Sequence, residues 1–133
     1  MIAIKFEPTK AKSKQLANEM NTYKCLRDGV GFSSIYYYGT EGEYNVMAME
    51  LLSPNLEELL QYCGGQFSVK TVCMLAQEMI HRLEFLHSCG FVHRDVKPDN
   101  FMLGLNSTAN VVYLIDFGLS KRYMDTDKKT HAA

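Results

Sequence analysis

The run His93-Arg94-Asp95-Val96-Lys97-Pro98-Asp99-Asn100 and, further along, Asp116-Phe117-Gly118 hold the residue types that phosphoryl transfer requires. That chemistry needs a base for the attacking hydroxyl, oxygen ligands for a divalent cation, and a positive charge near the moving group. Asp95 can receive the proton. Asn100 and Asp116 can hold Mg²⁺ against nucleotide phosphates, and Lys97, two residues past the base, can reach the transferring phosphoryl group. Each piece also has an ordinary reading. Asp95 fits a turn in a Pro-containing loop, and Asp116-Phe117-Gly118 fits a strand end followed by a turn. Those readings account for the pieces but not for the set.

The elements that must position these groups can be placed from pattern. Ile2-Ala3-Ile4-Lys5 is a β-branched run ending in a lysine, which suits a strand with the ammonium projecting from one face. The spacing of Leu16, Ala17, Met20 and Tyr23 predicts a helix from about Lys14 to Arg27, stopped by Asp28-Gly29. Glu19 lies beside the apolar face, where it can turn toward Lys5. Alternatively, both residues are solvated surface charges, as most Lys and Glu are. Tyr36-Tyr37-Tyr38 and Tyr44 to Met49 read as a hairpin around Glu41-Gly42, completing a three-stranded sheet with Met1 to Phe6. After Glu50-Leu51-Leu52-Ser53-Pro54 the period becomes helical. Asn55 is a fitting N-cap for a short helix carrying Leu56, Leu59 and Leu60. A longer helix is expected from Ser68 to Ser88, with Val72, Leu75, Ala76, Met79, Leu83 and Leu86 as its stripe and Cys89-Gly90 as its end. Phe101-Met102-Leu103 and Val111 to Ile115 form a second hairpin around residues 106–110, with Asp116 at its exit.

In this order the two motifs resemble the catalytic loop and metal-binding triplet of protein kinases, and Ile2 to Lys5 resembles the strand whose lysine pairs the nucleotide phosphates. The resemblance narrows through Gly29-Val30-Gly31, Tyr44-Asn45-Val46-Met47, Met49-Glu50-Leu51-Leu52, Asp95 to Phe101 and Asp116 to Lys121, which look like the casein kinase I family. That family comprises monomeric Ser/Thr protein kinases that use ATP and Mg²⁺ and often favour acidic or already phosphorylated sites. The likeness runs from Met1 to about Tyr123. It implies an α+β, bilobal protein-kinase-like fold truncated at both ends: a small-lobe remnant over 1–50, a hinge over 51–55, and the first part of the large lobe over 56–133. It implies that Lys5 and Glu19 pair, that Asp95 and Lys97 act on the transferred group, and that Asn100 and Asp116 bind metal. Glu50 and Leu52 would offer backbone groups to adenine, Met49 would guard the back of the pocket, and Met102 and Ile115 would pack beneath the base. Arg94 would organise the activation segment or an anion beside it.

The resemblance also sets expectations about what is missing. The Gly-rich loop that would precede Lys5 and most of the activation segment are absent from this sequence, so Met1 to Ile4 would form an apolar open edge and the isolated polypeptide would be poorly stable. Lys121 and Arg122 remain of the basic surface that reads substrates, and they read equally well as solvated charges.

Forty-seven per cent hydrophobic residues can build a core, and a net charge of −1 gives no general pull toward nucleic acid or membrane. An intracellular protein of the cytoplasm or nucleus is expected. Cys25, Cys63, Cys73 and Cys89 form no CxxC pair, and reduced, mostly packed thiols are a simpler account than zinc. Asp125 to Ala133 reads as a polar, mobile tail. Two other functions stay open: a nucleotide-binding or regulatory protein without phosphotransfer, and a truncated product without function.

Overall fold

A computed structural model of the chain describes residues 1–125 and 130–131. The fold is α+β. The first sheet has strands β1 (Ile2–Pro8), β2 (Ile35–Glu41) and β3 (Tyr44–Glu50), with β3 in the middle and every pairing antiparallel. Gly42 supplies the positive φ (59°) that a two-residue hairpin turn needs between β2 and β3. Helix α1 (Gln15–Leu26) packs on this sheet. Then follow α2 (Leu56–Tyr62) and α3 (Val69–Ser88). Short strands complete the order: β4 (Phe91–Val92), β5 (Phe101–Leu103), β6 (Val112–Leu114), β7 (Lys121–Arg122), β8 (Met124–Asp125) and β9 (Thr130–His131), paired as β4–β7, β5–β6 and β8–β9.

Local chemistry explains where the helices begin. Asn55 accepts from the Glu58 N–H at 2.9 Å while the Glu58 carboxylate accepts from the Asn55 N–H at 2.9 Å, a reciprocal cap that fixes the start of α2. Ser68 caps α3 by accepting from the Thr71 N–H at 3.1 Å. One contiguous core runs from Leu16, Tyr23 and Leu26 of α1, through Met47 and Met49 of β3, to Leu86, Phe101, Leu114 and Phe117. Phe117 sits at its centre, edge-on to Tyr23 at 4.9 Å and beside His93 at 5.3 Å.

Two expectations need correction, and a third falls largely outside the described residues. The buried face of α1 is Leu16, Glu19, Thr22, Tyr23 and Leu26, so Glu19 lies on that face and not beside it. An apolar count overlooks a carboxylate whose partner arrives from another strand. The thiols are not mostly packed: Cys25, Cys63 and Cys73 are exposed and only Cys89 is half-buried. They stand on outer helix faces and at the end of α2, where no element covers them. Of the expected polar tail, residues 126–129 and 132–133 lie outside the described residues, while Asp125 pairs with Thr130 in β8–β9.

Two glycines with positive φ distinguish strain from crowding. A Cβ on Gly42 would meet open space, whereas one on Gly31 (φ 80°) would overlap Arg82 Nε and the Val112 carbonyl. Gly42→Ala should therefore cost about 1–2 kcal/mol, the price of left-handed backbone alone. Gly31→Ala should cost more than about 3 kcal/mol, because backbone must shift. Urea unfolding of both variants checks the order, and equal losses would contradict it.

Candidate active site

The slot between the first sheet and the β5–β6 hairpin is lined by Ala3, Lys5, Met49, Glu50, Leu51, Leu52, Met102 and Ile115 and encloses about 160 Å³ of mostly apolar space. All five residues expected around adenine, Met49, Glu50, Leu52, Met102 and Ile115, meet there. The segment after β3 is held along β5 by the Ser53 N–H donating to the Leu103 carbonyl at 2.9 Å, which brings Met102 to the slot. The Glu50 N–H is used by the Ser34 carbonyl at 3.0 Å, whereas the Leu52 N–H has no partner among the described residues. Leu52 thus keeps a donor for a ligand edge.

Lys5 is shared with a second, more polar cavity of about 320 Å³, also lined by Glu7, Gln15, Glu19, Asp116 and Gly118. Lys5 Nζ lies 2.7 Å from Glu19 Oε1, across a sequence gap bridged by β1 meeting α1. Glu19 is only 3 % exposed. Burial raises its pKa most strongly, the Lys5 charge and hydrogen bond oppose that, and the Asp116 charge raises it again. Three carboxylates, Glu7, Glu19 and Asp116, line this space against one lysine, an excess of negative charge that draws in a cation.

The loop after β4 is tightly wired. His93, 2 % exposed, bonds the Ile115 carbonyl through Nε2 at 2.9 Å and accepts the Asp95 N–H on Nδ1 at 3.2 Å. Those partners place the proton on Nε2. Asn100 donates from Nδ2 to the Asp95 carbonyl at 2.8 Å and to Asp95 Oδ2 at 3.1 Å, so its Oδ1 remains as a free acceptor. The Ile115 N–H donates to the Asn100 carbonyl at 3.0 Å, tying the residue before Asp116 to Asn100. Asp116 and Arg94 both adopt positive φ, 63° and 68°, and Arg94 Nε donates to the Leu119 carbonyl at 2.6 Å. Left-handed backbone at non-glycine residues costs energy and persists where the surroundings enforce it.

Lys97 Nζ sits 2.9 Å from Asp95 Oδ2. The Lys97 hydrogen bond is the main reason the Asp95 pKa falls below the ordinary aspartate value, and the same bond raises Lys97. Asp95 is therefore ionised and able to accept a proton at neutral pH. Sequence reasoning placed Asp95, Lys97, Asn100, Asp116, Lys5 and Glu19; the geometry pairs Lys5 with Glu19 and sets Lys97 and Asn100 on Asp95, while Asp116 lines one cavity with Lys5 and Glu19. That reasoning missed His93 and Ala3 as parts of the site and placed Leu51 only within the hinge. His93 stood in the quoted motif, but nothing local marks which carbonyl it will bond.

A family model, protein kinase domain, matches residues 1–133, and the chain belongs to that family. Protein kinase domains generally bind ATP and Mg²⁺, and the family supports a phosphotransferase function in general. The residues present fit such a group: Asn100 keeps Oδ1 as an open acceptor and the Asp116 carboxylate lines the polar cavity beside Lys5, so both could offer oxygen to a hard cation.

The Asp95 carboxylate, with its depressed pKa, contributes stability above its unfolded value and loses it as pH falls through the depressed one. Lys97→Met should raise the Asp95 pKa toward the ordinary value. Carboxyl ¹³C titration reads it, and an unmoved midpoint would contradict the pairing.

Proposed function

We propose that this chain is the catalytic segment of a Ser/Thr protein kinase of the casein kinase I type, moving the γ-phosphoryl group of ATP to a protein Ser or Thr hydroxyl. The observation that carries the proposal is the shared lysine: Lys5 joins an apolar slot shaped for a base to a polar cavity suited to phosphates. In this reading Lys5, held by Glu19, orients the nucleotide phosphates, and the Leu52 N–H and Glu50 backbone hold the adenine edge. Met49, Met102 and Ile115 form the walls around the base. Asn100 and Asp116 would hold Mg²⁺, which supplies neutralisation of the phosphate charge. Asp95 accepts the proton of the attacking hydroxyl, and Lys97 stands beside it to balance charge on the moving group. Catalysis then rests on positioning and electrostatics, with no covalent enzyme intermediate.

The casein kinase I resemblance also supports acidic or pre-phosphorylated protein substrates, a monomeric state and an intracellular setting in cytoplasm or nucleus. Lys121 and Arg122 are exposed on β7, in reach of such acidic partners. The net charge of −1 supports neither nucleic acid nor membrane as partner, and no helix among the described residues is long and apolar enough to cross a bilayer.

Asp95→Asn should keep Mg-ATP affinity and lower phosphotransfer by about a hundredfold or more. Asp116→Asn should weaken metal-dependent nucleotide binding by about tenfold or more. Radiolabel transfer to an acidic Ser-containing protein and calorimetric ATP titration separate the two effects. Transfer by Asp95→Ala at the wild-type rate would overturn the assignment. Wild-type binding of Mg-ATP with no transfer would leave a nucleotide-binding protein instead.

A further inference from the structure

One side chain outside the assigned set reaches the metal-binding segment directly. Asn18, next to Glu19 on α1, directs Nδ2 at three backbone carbonyls: Phe117 at 3.2 Å, Gly118 at 3.1 Å and Ser120 at 3.0 Å. An amide nitrogen carries two hydrogens, so one is shared between acceptors. Three converging oxygens also decide the amide orientation, since the flipped group would set oxygen against oxygen. One turn further along α1, the Thr22 hydroxyl lies 2.8 Å from the buried Ser120 hydroxyl and 3.0 Å from the Asn18 carbonyl. Inside the segment, the Gly118 N–H bonds Asp116 Oδ1 at 3.3 Å and the Ser120 N–H bonds the Phe117 carbonyl at 3.0 Å.

We infer that Asn18, backed by Thr22, is a positioning residue that clamps residues 117–120 to α1 and so fixes the Asp116 carboxylate relative to the Lys5–Glu19 pair. The inference rests on the proposed kinase reading for its consequence, though not for its geometry. Phe117 shares its carbonyl with Ser120, but the Gly118 and Ser120 carbonyls have no acceptor role apart from Asn18 among the described residues. Removing the amide leaves both without a protein partner in a partly buried site. Asp116 already sits in left-handed backbone, so a loosened segment has a lower-energy conformation to relax into. The same helix that orients Lys5 through Glu19 thereby also orients a metal ligand, and the two halves of the phosphate site move as one.

The test compares the full chain with Asn18→Ala, Asn18→Asp and Thr22→Val. Asn18→Asp keeps the shape but turns an acceptor toward three acceptors, so it should be the most disruptive. Two readouts are taken: hydrogen exchange of the 118–120 amides, and the Mg²⁺ concentration that half-saturates binding of a non-hydrolysable ATP analogue. Asn18→Ala should speed exchange in 118–120 and raise the Mg²⁺ midpoint, each by about tenfold from the loss of one to two net hydrogen bonds, while analogue affinity in EDTA stays unchanged. Thr22→Val should move both in the same direction by less. A Mg²⁺ midpoint within about twofold of wild type, or equal weakening with and without metal, would overturn the clamp. Should the wild type bind no nucleotide, the kinase reading fails and exchange alone decides: acceleration confined to 118–120 keeps the clamp, and unchanged exchange removes it.

Discussion

A carboxylate taken almost wholly out of water needs a cation within hydrogen-bond reach, and Glu19 finds one in Lys5 at 2.7 Å. That constraint sets the relative position of β1 and α1, because either element sliding by one residue would strand the charge. It also sets which face α1 turns inward, so Leu16, Tyr23 and Leu26 enter the core on the same side as Glu19. Tyr23 then meets Phe117, and Phe117 meets His93, so the ion pair is linked by packing to the loop that carries Asp95. The energy of such a pair is modest once desolvation is counted, and its value here is specificity of arrangement.

A second constraint works from the other side of the cleft. The β5–β6 hairpin is only three residues long in each strand, too short to be rigid alone. It is braced by Arg82, whose Nε donates to the Val112 carbonyl at 2.7 Å, by the Leu114 N–H donating to the Gly31 carbonyl at 3.0 Å, and by His93 on the Ile115 carbonyl. These bonds come from α3, from the α1–β2 connection and from the loop after β4 respectively. Asn100, just before β5, and Asp116, just after β6, lie together at the open end of the hairpin and are thereby set by three separate parts of the chain. Two side chains held this way have little freedom to reorganise, the rigidity that the metal-binding role proposed for them needs.

Much of this was legible before any coordinates. The period of two in Tyr44 to Met49, the helical spacing after Gln15 and after Ser68, and the cap at Asn55 are local signals, and each element formed within a residue or two of its expected bounds. The slot residues were legible only through family resemblance, because no periodicity tells Met102 that it will face Met49. Long-range polar contacts left no local trace at all. Asn18 reads as one more polar residue in an amphipathic helix, and its three acceptors lie about a hundred positions away. Arg82 reads as a surface charge in α3 yet is buried against a backbone carbonyl. The cysteines erred in the other direction, since their usual preference for burial yields wherever no neighbouring element covers the helix face.

The most direct test of the account is an X-ray structure of the chain with a non-hydrolysable ATP analogue and Mn²⁺, located by its anomalous signal. The base is expected in the slot between Met49 and Met102, the phosphates at Lys5, and the manganese peak at Asn100 Oδ1 and the Asp116 carboxylate. A nucleotide bound elsewhere, or a metal peak away from both ligands, would contradict it.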